Sequence, residues 1–378
     1  MSFTIKNYRW YVVGWFFIVT LVSYIDRVNL SMAAPLIMKD FQMKPSELGI
    51  VLGAFTIGYT MMNIPAGFLS ARFSGRRVIT VILFLWSVMT LLTGVAWGFV
   101  SLLIFRILFG IAEGPLFPAC NGVISHWMLP REKATAAGFF TSAIPLGALI
   151  GILLSAIIIE YWGWRAVFYI YGVAGIIASF VGWFIVTDSP AQHSCVSSEE
   201  LKRIEASYAS PVAGVGGSTF GQLLRDRTLW VLSLSFFLMA LAYWATLNWL
   251  PTYFVMARKT TILKSGYLSS LPWIVAFLGM VSLGWASDKI GKGYRGNWLA
   301  FSMIASVPFI AYAVVTPSVT VSLICFSVAL FFNLGAIGLA VAFVHELWDR
   351  ADVPKAHGMA LAFMSLAGFV GPYLVGYN

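Results

Sequence analysis

Four ionisable side chains stand where the chain is otherwise apolar: Asp26, Arg27, Arg106 and Glu113. Each falls within a run long enough to cross a bilayer, which takes about 20 helical residues. A charge at membrane depth costs roughly 2.5–3.5 kcal/mol on insertion scales, so such a residue marks a functional site by default. Arg106 and Glu113 are seven apart, which puts them on one helix face about 10 Å apart along the axis. Arg27 lies five residues before the outer end of the first run, and Arg106 five after the outer start of the fourth. The two guanidiniums are therefore expected in one layer, with Glu113 about two turns deeper. Two such groups form a receptor for a carboxylate, because each offers parallel hydrogen bonds and never loses its charge. Asp26 and Glu113 can change charge, since burial disfavours the anion and a nearby arginine favours it. That combination suits a proton carrier whose state depends on whether an anion occupies the arginines. The alternative is that the four merely pair helices together, a use that adds little net stability.

The elements that position these groups are membrane spans. The chain is 378 residues, 60% hydrophobic and 10% charged, with a mean hydropathy of +0.85. Soluble domains carry about 25% charge, so a water-soluble globule is excluded, and long continuous apolar runs argue against a β-barrel. The class is an all-α polytopic membrane protein. Apolar runs fall near 10–32, 48–68, 77–97, 101–124, 134–158 and 165–187, then near 228–255, 266–286, 296–315, 319–343 and 357–376. Six spans form an N-terminal bundle over 1–187, a linker covers 188–227, and five spans form a C-terminal bundle over 228–378. With the N-terminus inside, sixteen of the 24 Lys and Arg residues face the cytoplasm and six face outward. That is the positive-inside asymmetry. It accounts for the net charge of +9 as topology, with no call for nucleic acid.

Asp188-Ser189-Pro190 stops the sixth span. Ser197 to Ile204 has the pattern of a capped amphipathic helix, and Gly214 to Ser218 that of a flexible hinge. The halves echo each other: Tyr24 to Asn29 aligns with Tyr243 to Asn248, and Gly67 to Arg72 with Gly284 to Lys289. This duplication predicts a twelfth span that the given sequence lacks. The repeated loops, with Gly67, Arg72, Arg76 and Arg77 in the first and Gly284 and Asp288 in the second, have a gating pattern. Tyr24, Tyr59, Tyr243 and Asn248 are polar groups expected to line the cavity. Gly110 with Gly114, and Gly147 with Gly151, form GxxxG pairs that read as packing seams. Cys120, Cys195 and Cys325 form no disulfide framework. His126, His193, His345 and His357 lack metal-ligand spacing, and there is no GxxxxGK[ST] or HExxH motif. Neither a cofactor nor an enzymatic activity is expected.

The residues Tyr24-Ile25-Asp26-Arg27-Val28-Asn29-Leu30-Ser31, Gly58-Tyr59 through Pro65-Ala66-Gly67, Arg106 through Glu113-Gly114, Phe117-Pro118, Trp249 to Tyr253 and Gly371-Pro372 carry a resemblance. Over essentially its whole length the chain resembles the major facilitator superfamily, and within it the anion:cation symporters. The resemblance implies two pseudo-symmetric helical bundles and proton-coupled uptake of an organic anion such as a sugar acid by alternating access. It implies that Arg27 and Arg106 contact the substrate carboxylate and that Asp26 and Glu113 are protonation sites. Tyr24, Tyr59 and Asn248 complete the expected substrate site. The setting is a bacterial-type inner membrane, the protein a monomer, and its partners the anion, protons and membrane lipids. Some positions depart from the family pattern. The first gating loop has Ala71 for its aspartate and Ser74 for its glycine, whereas Asp288 keeps the second copy. Ala143-Ile144-Pro145 and Ser365 replace amides, which makes a dicarboxylate or an aromatic acid the rival substrate. Anion exchange and a non-transporting sensor are the rival functions.

Overall fold

Apolar runs of this length satisfy their backbone groups only as helices, because hydrocarbon offers no hydrogen-bonding partner. The computed structural model describes residues 7–207, 220–290, 293–348 and 352–377. The proposed hinge at 214–218, together with Lys6, Gly291, Lys292 and Arg350, lies outside them. The helices are α1 (Tyr8–Phe41), α2 (Pro45–Arg72), α3 (Gly75–Gly94), α4 (Phe99–Glu113), α5 (Leu116–Trp127), α6 (Lys133–Thr141), α7 (Ala143–Trp162) and α8 (Trp164–Ile185). They continue with α9 (Ser198–Ser207), α10 (Phe220–Leu223), α11 (Arg227–Met256), α12 (Ile262–Ile290), α13 (Arg295–Val315), α14 (Val319–Leu347) and α15 (Val353–Tyr377). Among the described residues ten stretches are long and apolar enough to cross a membrane. The 28-residue α2 is a further long helix. Each expected span is thus a helix, or a pair of helices.

Two spans carry a turn in mid-course at which the backbone stays in the helical region. The fourth divides into α4 and α5 at Gly114-Pro115, since proline supplies no N–H and crowds the preceding turn. The fifth divides into α6 and α7 at Ser142. The first span runs past the expected Met32, through Pro35, to Phe41. A helix end is therefore not a ruler for the depth of Arg27, and its relation to α4 must come from contacts.

Two compact units emerge. The first comprises the described residues of Met1–Arg27, Ala54–Gly147 and Trp162–Ala213. In it α3 packs along α8, and a close seam joins α2 to α4. A Cβ on Gly58 would collide with the Ile107 carbonyl oxygen, and one on Gly110 with that of Phe55. Only glycine permits this approach, and it brings the end of α4 against the Phe55–Tyr59 turn of α2. The second comprises the described residues of Val28–Gly53, Ala148–Tyr161 and Gly214–Asn378. In it α12 and α14 meet closely, and the Ser31 hydroxyl donates to the carbonyls of Leu247 (3.1 Å) and Asn248 (2.6 Å). Arg258 closes the end of α13 by donating to the carbonyls of Ala313, Val314 and Thr316 while its Nε donates to the Tyr253 hydroxyl. A cation at a helix C-terminus answers its unpaired carbonyls.

Candidate functional site for substrate and protons

In the first unit α1 contributes Ser23, Tyr24, Asp26 and Arg27, and α4 contributes Arg106 and Glu113. The glycine seam sets Glu113, the last residue of α4, beside α1. One of its carboxylate oxygens, Oε1, accepts from Arg27 Nε at 2.8 Å, from Arg27 Nη2, and from the Ser23 hydroxyl at 2.6 Å. The other oxygen, Oε2, is buried and has no hydrogen-bond partner. Three rings close around the guanidinium: Tyr24 at 4.4 Å, Phe55 at 4.8 Å and Tyr59 at 5.2 Å from their centroids. Aromatic faces attract a cation, most strongly where water is excluded. Arg27 is 8% exposed and Glu113 is fully enclosed, so this ion pair lies in a dry interior.

The second acid and the second arginine stand next to this pair. Asp26 is fully enclosed and interacts electrostatically with Glu113 and Arg106. Neither of its oxygens has a hydrogen-bond partner. Arg106 is 3% exposed, with Phe109 and Phe168 ring centroids at 5.3 and 5.9 Å. One ion pair thus joins the helices, Arg27 of α1 to Glu113 of α4, and Arg106 of α4 acts on Asp26 through its charge. The four charges form one enclosed cluster of two acids and two arginines drawn from α1 and α4.

The remaining expected residues fall elsewhere. Asn248 belongs to the second unit and is buried, with its Nδ2 donating to the Trp244 carbonyl of its own helix at 2.8 Å. Tyr243 is also in that unit, where its ring meets Trp244 and Trp273. In the first gating loop Arg72 and Arg77 are exposed and Arg76 lies over the Trp183 ring at 4.0 Å. Gly67 lies within α2 and Gly284 within α12. The side chain of Asp288 lies outside the described set. Where the first loop lacks an aspartate, Asp188 supplies one: it accepts from the Ser74 hydroxyl (2.7 Å) and from Arg76 N (3.0 Å) at the start of α3.

Sequence reasoning missed Ser23, Phe55 and a second charged cluster. Ser23 was legible, because it lies four residues before Arg27 on the same face. The cluster joins the start of α1 to α9. Glu200 accepts from Tyr8 N (2.9 Å), Arg9 N (3.3 Å) and Arg9 Nη1 (2.8 Å), while Arg9 Nε donates to Glu132 at 2.9 Å. The expected capped helix is present as α9. Ser197 accepts from Glu200 N, but the Glu200 side chain caps α1 instead, where free amides outbid its own helix. His193 stacks on Tyr8 at 4.2 Å and Trp127 donates to the Thr187 carbonyl at 2.8 Å.

The description of the Major Facilitator Superfamily matches residues 16–377. The chain belongs to the Major Facilitator Superfamily. A solved member with that fold, a bacterial homologue of the human lysosomal transporter Spinster, superposes with a TM-score of 0.83 at 20% identity, covering 99% of this chain and 83% of that one. Among curated relatives, the hexuronate transporter of Bacillus subtilis is 28% identical over 97% of this chain and 87% of its own length. A protein of the same organism named "Probable galactarate/D-glucarate transporter" is 30% identical over 98% and 85%. A "Probable sulfoacetate transporter" of Cupriavidus necator is 30% identical over 98% and 87%. Each named cargo is a small organic anion. The superfamily assignment and the helices make this a multi-pass membrane protein.

Proposed function

We propose that this protein is a secondary transporter that carries a small organic anion, a sugar acid such as a hexuronate, aldonate or glucarate, together with protons. The observation that carries the reading is the enclosed Arg27–Glu113 pair with Asp26 and Arg106 beside it. Substrate carboxylate docks on Arg27 and Arg106, with Tyr24, Tyr59 and Asn248 around it. Protons on Glu113 and Asp26 release the arginines to the substrate and lower the charge of the site for crossing. The bundles 1–187 and 228–378, joined by the linker 188–227, then rock about the site, as two-bundle transporters with a midplane site do. The loops with Gly67, Arg72, Arg76 and Arg77, and with Gly284 and Asp288, serve as gates. The protein works as a monomer in the inner membrane with its N-terminus in the cytoplasm.

Uptake of radiolabelled D-glucuronate by proteoliposomes tests this. Arg106→Ala abolishes uptake while the protein still inserts and purifies as the parent does; normal uptake by that variant refutes the assignment. Glu113→Gln keeps substrate binding but loses accumulation driven by a pH gradient, and surviving accumulation would move the proton to another residue. A second reading is supported by the sulfoacetate relative and by Ala143-Ile144-Pro145 and Ser365, which offer few partners for sugar hydroxyls. In that reading the cargo is a short dianion. Competition of unlabelled sulfoacetate against glucuronate decides between them.

A further inference from the structure

We infer that Ser23, on α1, is a positioning residue for Glu113: its hydroxyl holds the carboxyl by Oε1 while Arg27 turns to the substrate, and the incoming proton takes Oε2. The inference rests on the reading above in which Glu113 carries a proton. Ser23 and Glu113 are both fully enclosed, and the Ser23 hydroxyl donates to Oε1 at 2.6 Å. Arg27 Nε, at 2.8 Å, and Arg27 Nη2 donate to that same oxygen, so three donors converge on one atom. Oε2 is buried and receives no hydrogen bond. An arginine facing a carboxylate often engages both oxygens in two parallel bonds. Here one oxygen is left over, and its uncommitted lone pairs are where a proton fits. A hydrogen on Oε1 would point into three donors.

Both the place and the chemistry of Ser23 suit it to this role. It lies four residues before Arg27 on the same helix face, so the two reach one carboxylate. The Leu21–Tyr24 turn that carries it is pressed against α7, where a Cβ on Gly147 would collide with the Leu21 carbonyl oxygen and with Tyr24 Cβ. Among the described residues Ser23 is the one uncharged donor to Glu113. A hydroxyl serves a carboxylate and the carbonyl oxygen of a neutral acid alike, whereas the strength of the guanidinium bond comes from the anion. Protonation therefore loosens Arg27 and leaves Ser23 bound. The neutral acid stays where the returning arginine will meet it, and each cycle ends with the pair restored.

Infrared difference spectra of the purified protein on acidification, with pH-driven uptake of glucuronate by proteoliposomes, test this. In the parent, a carboxylic-acid carbonyl band that Glu113→Gln removes is expected at the lowered frequency of a hydrogen-bonded acid. Ser23→Ala should raise that frequency. Ser23→Cys, whose thiol is of similar size and a weak donor, should raise it less. Ser23→Ala is also expected to slow pH-driven uptake roughly ten-fold, the scale of one hydrogen bond to a charged group, with Ser23→Cys in between. If Glu113→Gln removes no such band, the proton-carrier reading itself falls. If it removes the band while Ser23→Ala leaves the frequency or the uptake rate at the parent value, only the role of Ser23 is overturned. The parent spectrum needs no substitution at Ser23, so it guards against misfolded variants: a Glu113 band at the frequency of a free acid also overturns the role.

Discussion

Two charged clusters in one compact unit use the same chemistry to opposite ends. At the start of α1, Arg9 spends its guanidinium on two carboxylates: Nε and Nη2 donate to Glu132 at 2.9 and 3.3 Å, and Nη1 to Glu200 at 2.8 Å. Both Glu200 oxygens also receive backbone amides of α1. Partway along the same helix, Arg27 holds one oxygen of Glu113 while the other, and both of Asp26, receive no hydrogen bond. Burial does not separate the two, because the Arg9 and Glu200 side chains are each 4% exposed. Satisfaction does. A saturated network has one low-energy arrangement and fixes structure; an unsaturated one keeps spare acceptors that protons, substrate or a neighbouring donor can fill.

The contrast can be broken from either side. The largest effect expected is that Glu113→Gln loses pH-driven accumulation altogether, whereas Glu200→Gln accumulates glucuronate like the parent once expression is normalised. Transport assays on the pair check this, and equal losses would erase the distinction. Next, Arg9→Ala strands two carboxylates and should destabilise the solubilised protein by about 3 kcal/mol, because removing one partner of a buried pair leaves charge unpaired. Denaturant titration reads that loss. Glu132→Ala, which removes the more exposed of the two carboxylates on Arg9, should cost about 1 kcal/mol on the same assay, nearer the worth of a surface pair. The smallest effect is on acidification. Hydrogen bonding to Arg9 holds the Glu132 carboxyl below its ordinary value. A depressed carboxyl stabilises the fold above its unfolded pKa and loses that contribution as pH falls through the lower folded value. Thermal stability of the parent should therefore decline below about pH 4, and Glu132→Gln should show a shallower decline.

Much of the fold was legible because bilayer depth, helix rise and hydropathy leave few choices. The spans follow from residue types with strong local consequences. The four charges were legible for the same reason, being expensive where they stand. Their partners were not. Spacing set Arg106 and Glu113 on one face of the fourth span and Arg27 level with Arg106, but gave no pairing across helices; Gly58 against Ile107 and Gly110 against Phe55 bring α4 close to α2, and Glu113 meets Arg27. Two helices approaching through glycines leave no periodic signature of which faces meet. Glu200 failed to declare its role for a related reason: the amides it caps lie almost two hundred residues away in sequence, and the local box it could have completed with Ser197 is an equally valid pattern.

The Gly114-Pro115 turn keeps helical dihedrals, so the fourth span crosses as a single stretch of 29 residues from Phe99 to Trp127. Gly110 seats that stretch against α2 on one side of the turn, and Trp127 ties it to the Thr187 carbonyl on the other. Glu113 therefore stands on a strut pinned on both sides of it, which holds its carboxylate against Arg27.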